Sequence, residues 1–223
     1  MNYEQLLNKL NAVADENYRA FNLKLLKNDK INVIGVCIPE MRKMAKSFSA
    51  EDIDELMSFP DDYYEVKFVK LTAVAKLPYD EFILRLDSCV KLMDNWEICD
   101  CFSPKCIKNH REEFLPYIQK YLFSDGEFSQ RFALTTLLSF YVEDKYLDYI
   151  FACCTSADTS LYYVHMAVAW LIAEVLIRYY NRGVEFLNKE LLTKKTHNKA
   201  IQKAKESYRL TPEQKINLNN LKR

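Results

Sequence analysis

Three glycines in 223 residues leave this chain almost nowhere to make a tight hairpin. Two-residue hairpin turns need residues that tolerate positive φ, and glycine supplies most of them. Six prolines do not replace that role, and no stretch alternates apolar and polar residues between Asn-Gly or Gly-Gly turns. Apolar residues instead recur at helical spacing. Phe68, Leu71, Val74 and Ala75 form one stripe, and Phe132, Leu134, Leu137, Leu138 and Tyr141 a second; Val168, Leu171, Ile172 and Val175 form a third. The pattern predicts an all-α chain of about 11 to 14 helices in antiparallel pairs, with no sheet.

Punctuation agrees with this. Ser49-Ala50-Glu51-Asp52 and Ser124-Asp125-Gly126-Glu127 resemble capping boxes, and Thr211-Pro212-Glu213-Gln214 adds proline at the first helical position. Ser103-Pro104 reads as a cap followed by a first-turn proline. The pairs recur at roughly 35 to 40 residues, the period of HEAT-like repeats. Such an array needs no linker, and no Pro/Ser-rich break divides it, so residues 1–223 are expected to form one domain. Stacked pairs of this kind curve into a solenoid with a concave wall.

Seven cysteines, an odd number without framework spacing, fit reduced thiols on helices. Cys99, Cys101, Cys106 and His110 could be read as zinc ligands, but Cys-x-Cys is too close for ordinary zinc-knuckle geometry, so no metal is expected. No run of 18 apolar residues exists and the start of the chain is polar. A cytoplasmic protein away from membranes is the expectation. Net charge is zero, which by itself argues against a strong nucleic-acid binder. The charge is nonetheless uneven: from Lys189 to Arg223 ten Lys or Arg face three acids. Residues 1–188 therefore carry the compensating negative charge. Lys195, Lys199 and Lys203 share one face by i, i+4 spacing and are the candidate phosphate contacts, with an ordinary solvated helix as the alternative.

The segment Asp94-Asn95-Trp96-Glu97-Ile98-Cys99-Asp100 places an indole and a carboxylate one helical turn apart. Arg131 follows 35 residues after Trp96, and Trp170 lies 39 after Arg131. At one residue per repeat, the aromatic, acid, arginine and second aromatic would line the same wall. The bland alternative has both tryptophans in the core, Asp100 solvated near a helix start, and Arg131 in a structural ion pair.

These residues carry a family resemblance. The segment from Asp94 to Asp100 resembles a D-N-W-(D/E)-x-x-D element, and Gly35 to Lys43 an earlier G-V-x-x-P-x-x-R-x element. Phe128-Ser129-Gln130-Arg131-Phe132-Ala133 and Met166-Ala167-Val168-Ala169-Trp170 are similar to the later arginine and tryptophan elements. Together they look like the AlkD-type DNA alkylation-repair proteins, HEAT-like-repeat DNA glycosylases, over residues from about 20 to the C terminus. The resemblance implies removal of cationic N3- or N7-alkylated purines from double-stranded DNA, by a monomer that needs no metal or small-molecule cofactor. It implies that Trp96 and Trp170 contact the deoxyribose of the lesion, that Asp100 lies near the anomeric carbon, and that Arg131 holds a phosphate. It also implies that the base need not be drawn into a pocket, unlike in most glycosylases.

Three positions depart from the catalytic pattern. A tyrosine is expected near Leu26, although Tyr18 and Phe21 are close by; Phe128 replaces a tryptophan, and Ala173 an arginine. Three functions therefore stay open: an alkylpurine glycosylase, a non-catalytic DNA-structure binder on the same scaffold, and a protein-interaction solenoid. Tyr162-Tyr163 and Tyr179-Tyr180 offer aromatic surface, and His165 and His197 receive no chemical assignment.

Overall fold

The computed structural model describes residues 1–26 and 30–223. Among them are fourteen α-helices, two short 3-10 turns and no strand, only an isolated parallel bridge between Asn32 and Tyr63. The chain divides into two compact units, Met1–Asn109 and His110–Arg223.

The first unit holds α1 (Tyr3–Ala12), α2 (Glu16–Leu26), α3 (Ile38–Ala45), α4 (Ile53–Ser58), α5 (Tyr64–Val74), α6 (Tyr79–Lys91) and α7 (Trp96–Cys101). Its centre is α5, which packs on α3, α4, α6 and α7. Tyr64, Val66, Phe68, Val69, Leu71, Ala73 and Val74 are buried on it, far more than one stripe. Such all-round burial marks a helix enclosed by others. It also carries Glu65 and Lys70, both fully buried. Lys70 donates to the carbonyls of Met57 and Phe59 and pairs with Asp61, so its charge closes the end of α4. Glu65 accepts the backbone N–H groups of Ile34, Gly35 and Val36 at 2.8–3.3 Å. That turn needs glycine: Gly35 has φ +103°, and a Cβ there would stand 2.6 Å from the Asp15 carbonyl.

The second unit holds α8 (Arg111–Leu122), α9 (Glu127–Phe140), α10 (Leu147–Ser156), α11 (Tyr162–Arg178), α12 (Tyr180–Asn188), α13 (Lys194–Lys205) and α14 (Pro212–Asn220). Here α11 is central, packed on α9, α10, α12 and α13. The stripe of Val168, Leu171, Ile172 and Val175 is fully buried on it.

The expected caps hold only in part. Thr211 forms the capping box with Gln214, and Pro212 sits at the first helical position. At Ser49 the roles are reversed: the Asp52 carboxylate accepts both the amide and the hydroxyl of Ser49 at 2.7 Å, and α4 begins after Asp52. The Ser124 hydroxyl turns back to the Tyr121 carbonyl at the end of α8, and α9 starts from Gly126 without a side-chain cap. Ser103-Pro104 leads into a 3-10 turn at Lys105–Asn109 rather than an α-helix. A short polar side chain can serve the helix before it as readily as the one after it, and spacing alone does not distinguish the two.

The grip of Glu65 on the turn before α3 predicts a large stability cost. Glu65→Ala orphans three amides and should lose about 3–5 kcal/mol in urea unfolding. Glu55→Ala, at an exposed acid, should stay within about 0.5 kcal/mol. A loss below about 1 kcal/mol at Glu65 would show that the turn is held by something else.

Candidate functional site

In the first unit, α7 is only six residues long, and its start is built by hydrogen bonds. Asn95 is buried, and its side-chain oxygen accepts the Ile98 amide at 3.0 Å, the N-cap arrangement. Asp94, bonded by the Asn95 amide group, pairs with Lys67 on α5 at 2.6 Å. Glu97, Ile98 and Cys99 then turn inward and are buried. Trp96 and Asp100, one turn apart, remain half-buried. The helix start anticipated at Asp94-Asn95 is present, and the indole and carboxylate share the partly open face. The Trp96 indole N–H reaches the Leu25 carbonyl at 3.4 Å, which orients the ring.

Beneath that face lies a second carboxyl. Glu97 accepts the Tyr64 hydroxyl at 2.9 Å. Burial raises its pKa above the ordinary carboxylate range; the nearby Asp100 and Glu65 push the same way, against the Tyr64 hydrogen bond. Tyr64 is itself held far above the usual phenol range by burial and by Glu97. Around them stand Tyr18, whose phenol is raised by burial and by Glu97, and the Cys101 thiol, raised by burial and opposed by Arg42 on α3. The helix therefore carries two carboxyls in unlike settings, one half-open and one buried and biased toward neutral.

Three side chains lie near the position where the resemblance expects a tyrosine. Leu26 is a core side chain, Phe21 is exposed, and Tyr18 is the aromatic that approaches Glu97. Spacing could not choose among these three because all lie on α2.

In the second unit, Arg131 is 5% exposed. Its Nη1 donates to the Tyr163 carbonyl at 2.9 Å, and the guanidinium lies over the Tyr163 ring at 5.9 Å. Phe128 packs on the same ring, and Glu127 accepts the Tyr163 amide at 2.7 Å. One face of α9 thus fixes the first turn of α11. Trp170 lies two turns further along α11 and is 42% exposed on a helix otherwise deep in the unit. Tyr162, Met166 and Trp170 follow i, i+4, i+8 and form the open stripe of α11. Ala173 is 2% exposed, so the position where the resemblance expects an arginine belongs to the core.

Between α11 and α13 lies a cleft of about 500 Å³, lined by Tyr162 and His165 from α11, Lys195 and Lys199 from α13, and Lys222 after α14. Lys203, the third candidate on α13, does not line it and pairs with Glu206 at 3.1 Å. Sequence reasoning missed Lys222 and His165: the first lies far along the chain, and the second needs a partner that only packing supplies. That partner is Thr196, whose hydroxyl is 2.9 Å from His165 Nδ1. His197 points elsewhere, with Nε2 on the Leu221 carbonyl.

All seven cysteines are free thiols, and Cys89, Cys99, Cys153 and Cys154 are buried. Burial pushes the Cys89 thiol up to about 12 and Cys153 to about 11. Among the described residues no group of three or more His, Cys, Asp or Glu side chains could hold a metal ion. Likewise, no helix is long and apolar enough to cross a membrane.

The buried setting of Glu97 has a signed consequence. Its pKa is higher folded than unfolded, so its contribution to stability is full below about pH 4.3 and lost as pH rises through the folded value. Glu97→Gln keeps an acceptor for Tyr64 and removes the ionisation. In thermal melts from pH 4 to 8, the variant should therefore gain on the wild type as pH rises and then level off. A gap that moves the other way would mean that the fold favours the charged form.

Residues 6–208 match the protein family described as DNA alkylation repair enzyme. A search of curated proteins returns no match.

Proposed function

Because this chain belongs to the DNA alkylation repair enzyme family, we propose that it is a DNA glycosylase that excises cationic N3- or N7-alkylated purines from duplex DNA. Its HEAT-like helix pairs act as one repair domain over residues 1–223, as a monomer in the cytoplasm, without metal or cofactor. The observation that carries this is α7: its three middle residues are buried while Trp96 and Asp100 stay on the accessible face. A structural helix of six residues has no need to leave its tryptophan and a carboxylate half-open together.

The chemistry asks little of the protein. An alkylated purine already bears positive charge, so the bond from C1′ to the base nitrogen can break with its electron pair going to the base. No general acid is required. The sugar gains oxocarbenium character, as in glycoside hydrolysis generally. Asp100 stabilises that charge and accepts a proton from the water that attacks C1′, leaving an abasic site. The electron-rich faces of Trp96 and Trp170 each add about 0.5–2 kcal/mol of cation–π stabilisation. Glu97, whose pKa burial raises, lies beside Asp100 on the same helix. Arg131 and the lysines at 195, 199 and 203 hold the phosphate backbone.

A non-catalytic DNA binder on the same scaffold is the second reading. It is favoured by Arg131, whose guanidinium serves the Tyr163 carbonyl, and by the core position of Ala173.

Single-turnover release of 7-methylguanine from an alkylated duplex separates the two. The wild type should release the base, and Asp100→Asn should slow release at least a hundredfold, a loss of about 2.7 kcal/mol of transition-state stabilisation. No release by folded wild type moves the protein to the second reading. Trp170→Ala should cut release about tenfold while changing stability by less than about 1 kcal/mol, because Trp170 is 42% exposed. A large stability loss would return Trp170 to a packing role.

A further inference from the structure

The first turn of α13 contains Lys194 and Lys195 and no acid. Cations at a helix N-terminus oppose the helix dipole, so this end is electrostatically unsatisfied unless an anion joins it. The neighbouring cleft repeats the imbalance. Lys195, Lys199 and Lys222 line it, and none of its lining residues is a carboxylate. Acids in this region neutralise cations outside it: Glu206 takes Lys203, and Glu190 takes Arg223, the residue next to Lys222. Within the cleft, Lys199 donates to the side-chain carbonyl of Gln202 at 3.3 Å.

A polar floor lies below these ammonium groups. His165 is 3% exposed and lines the cleft. Its Nδ1 is fixed by the Thr196 hydroxyl at 2.9 Å, which is itself 2.9 Å from the Thr193 hydroxyl. Thr193 accepts the Thr196 amide as the N-cap and can donate to the Thr196 oxygen; Thr196 can then donate to Nδ1. With the relay running in that direction the imidazole proton sits on Nε2, the ring nitrogen not engaged by Thr196. Tyr162, largely exposed, stands at the rim.

We propose that this cleft is a phosphate site that takes one phosphodiester group of the DNA strand. The ammonium groups of Lys195, Lys199 and Lys222 surround its oxygens, and Nε2–H of His165 donates from below. The inference rests on DNA being the partner and deepens that reading by naming a single composite grip and its imidazole ligand. Three cations converging on one small space suit a phosphate better than a planar carboxylate, and Tyr162 beside them offers a face to the adjoining base. Trp170 is eight residues along the same helix, about 12 Å away, the span of a few nucleotides of one strand. The cleft therefore grips the strand beyond the position where Trp170 would act.

The grip is linked to pH. Burial lowers the His165 pKa, and Lys195 and Lys199 lower it further, so the ring is neutral near pH 7. The other groups facing it are Lys222 after α14 and Tyr162 on its own helix. On α9 the nearest cation, Arg131, is engaged with the Tyr163 carbonyl. A bound phosphate opposes the lysines' effect and raises the imidazole pKa, so DNA binding should tighten as pH falls below neutrality, by about tenfold.

Histidine side-chain NMR of the full-length wild type tests this without any variant. Inorganic phosphate and then an unmodified duplex should each shift the His165 Nε2 signal and raise its titration midpoint. Shifts with phosphate alone, or DNA binding that leaves His165 unmoved, overturn the site and leave the glycosylase reading intact. A His165 response to duplex without any base release upholds the site and removes the glycosylase. The triple variant Lys195→Gln, Lys199→Gln, Lys222→Gln supplies a second readout. If the three share one phosphate, the slope of log affinity against log salt falls by about one; a fall of about three means separate contacts and overturns the composite site.

Discussion

A buried carboxylate at the start of α5 sets the conditions for everything around α7. Three backbone amides of the turn before α3 donate to Glu65. Neutral donors suffice when several converge, and the cost of removing a carboxylate from water is met locally. The adjacent residue on α5, Tyr64, uses its hydroxyl to hold Glu97 on α7. Two consecutive side chains of one helix thereby fix a turn on one side and a six-residue helix on the other. Isolated, so short a helix would not persist. Its orientation, and with it the placement of Trp96 and Asp100, is inherited from α5.

The second unit meets the same problem with a different device. α11 is long and nearly all apolar, so burial alone fixes its depth, and α9 fixes its rotation. Arg131 and Glu127 take the carbonyl and amide of the same residue, Tyr163, leaving that turn one orientation. Trp170 is then exposed by geometry: it lies on the stripe through Tyr162 and Met166, away from the buried face of α11. A side chain presented from a helix locked in this way is positioned more precisely than one on a loop.

The all-α class was legible because glycine scarcity and helical periodicity are global properties, averaged over many residues. The cap assignments were less legible, since Ser49, Ser103 and Ser124 each had two possible backbone partners and the choice belongs to tertiary packing. At the candidate site, the Asp94-to-Asp100 segment announced itself because Asn95 caps the helix it precedes, a purely local relation. Arg131 was legible as an unusual residue, yet its contact with Tyr163 depends on a helix 32 residues away. Lys222 and His165 could not be found from spacing at all. They meet Lys195 and Lys199 only because α11, α13 and the segment after α14 converge. The departure at Ala173 also changes meaning in three dimensions: a buried alanine is a core residue, and its lack of charge subtracts nothing from the open stripe.

Zero net charge excluded less than it promised, for a reason that follows from the pairing pattern. Affinity for a polyanion depends on cations that lack a local acid, within about a Debye length of the surface they share. In this chain many acids serve particular cations. Arg182 is held by Asp144 and Asp148, Arg111 by Glu143, and Arg209 by Glu174. Those pairs contribute to the neutral total and nothing to binding. Lys195, Lys199 and Lys222 share one cleft whose lining holds no carboxylate, over an imidazole and beside an aromatic stripe. A surface of that kind can hold one phosphate firmly while the molecule as a whole is not drawn to every polyanion.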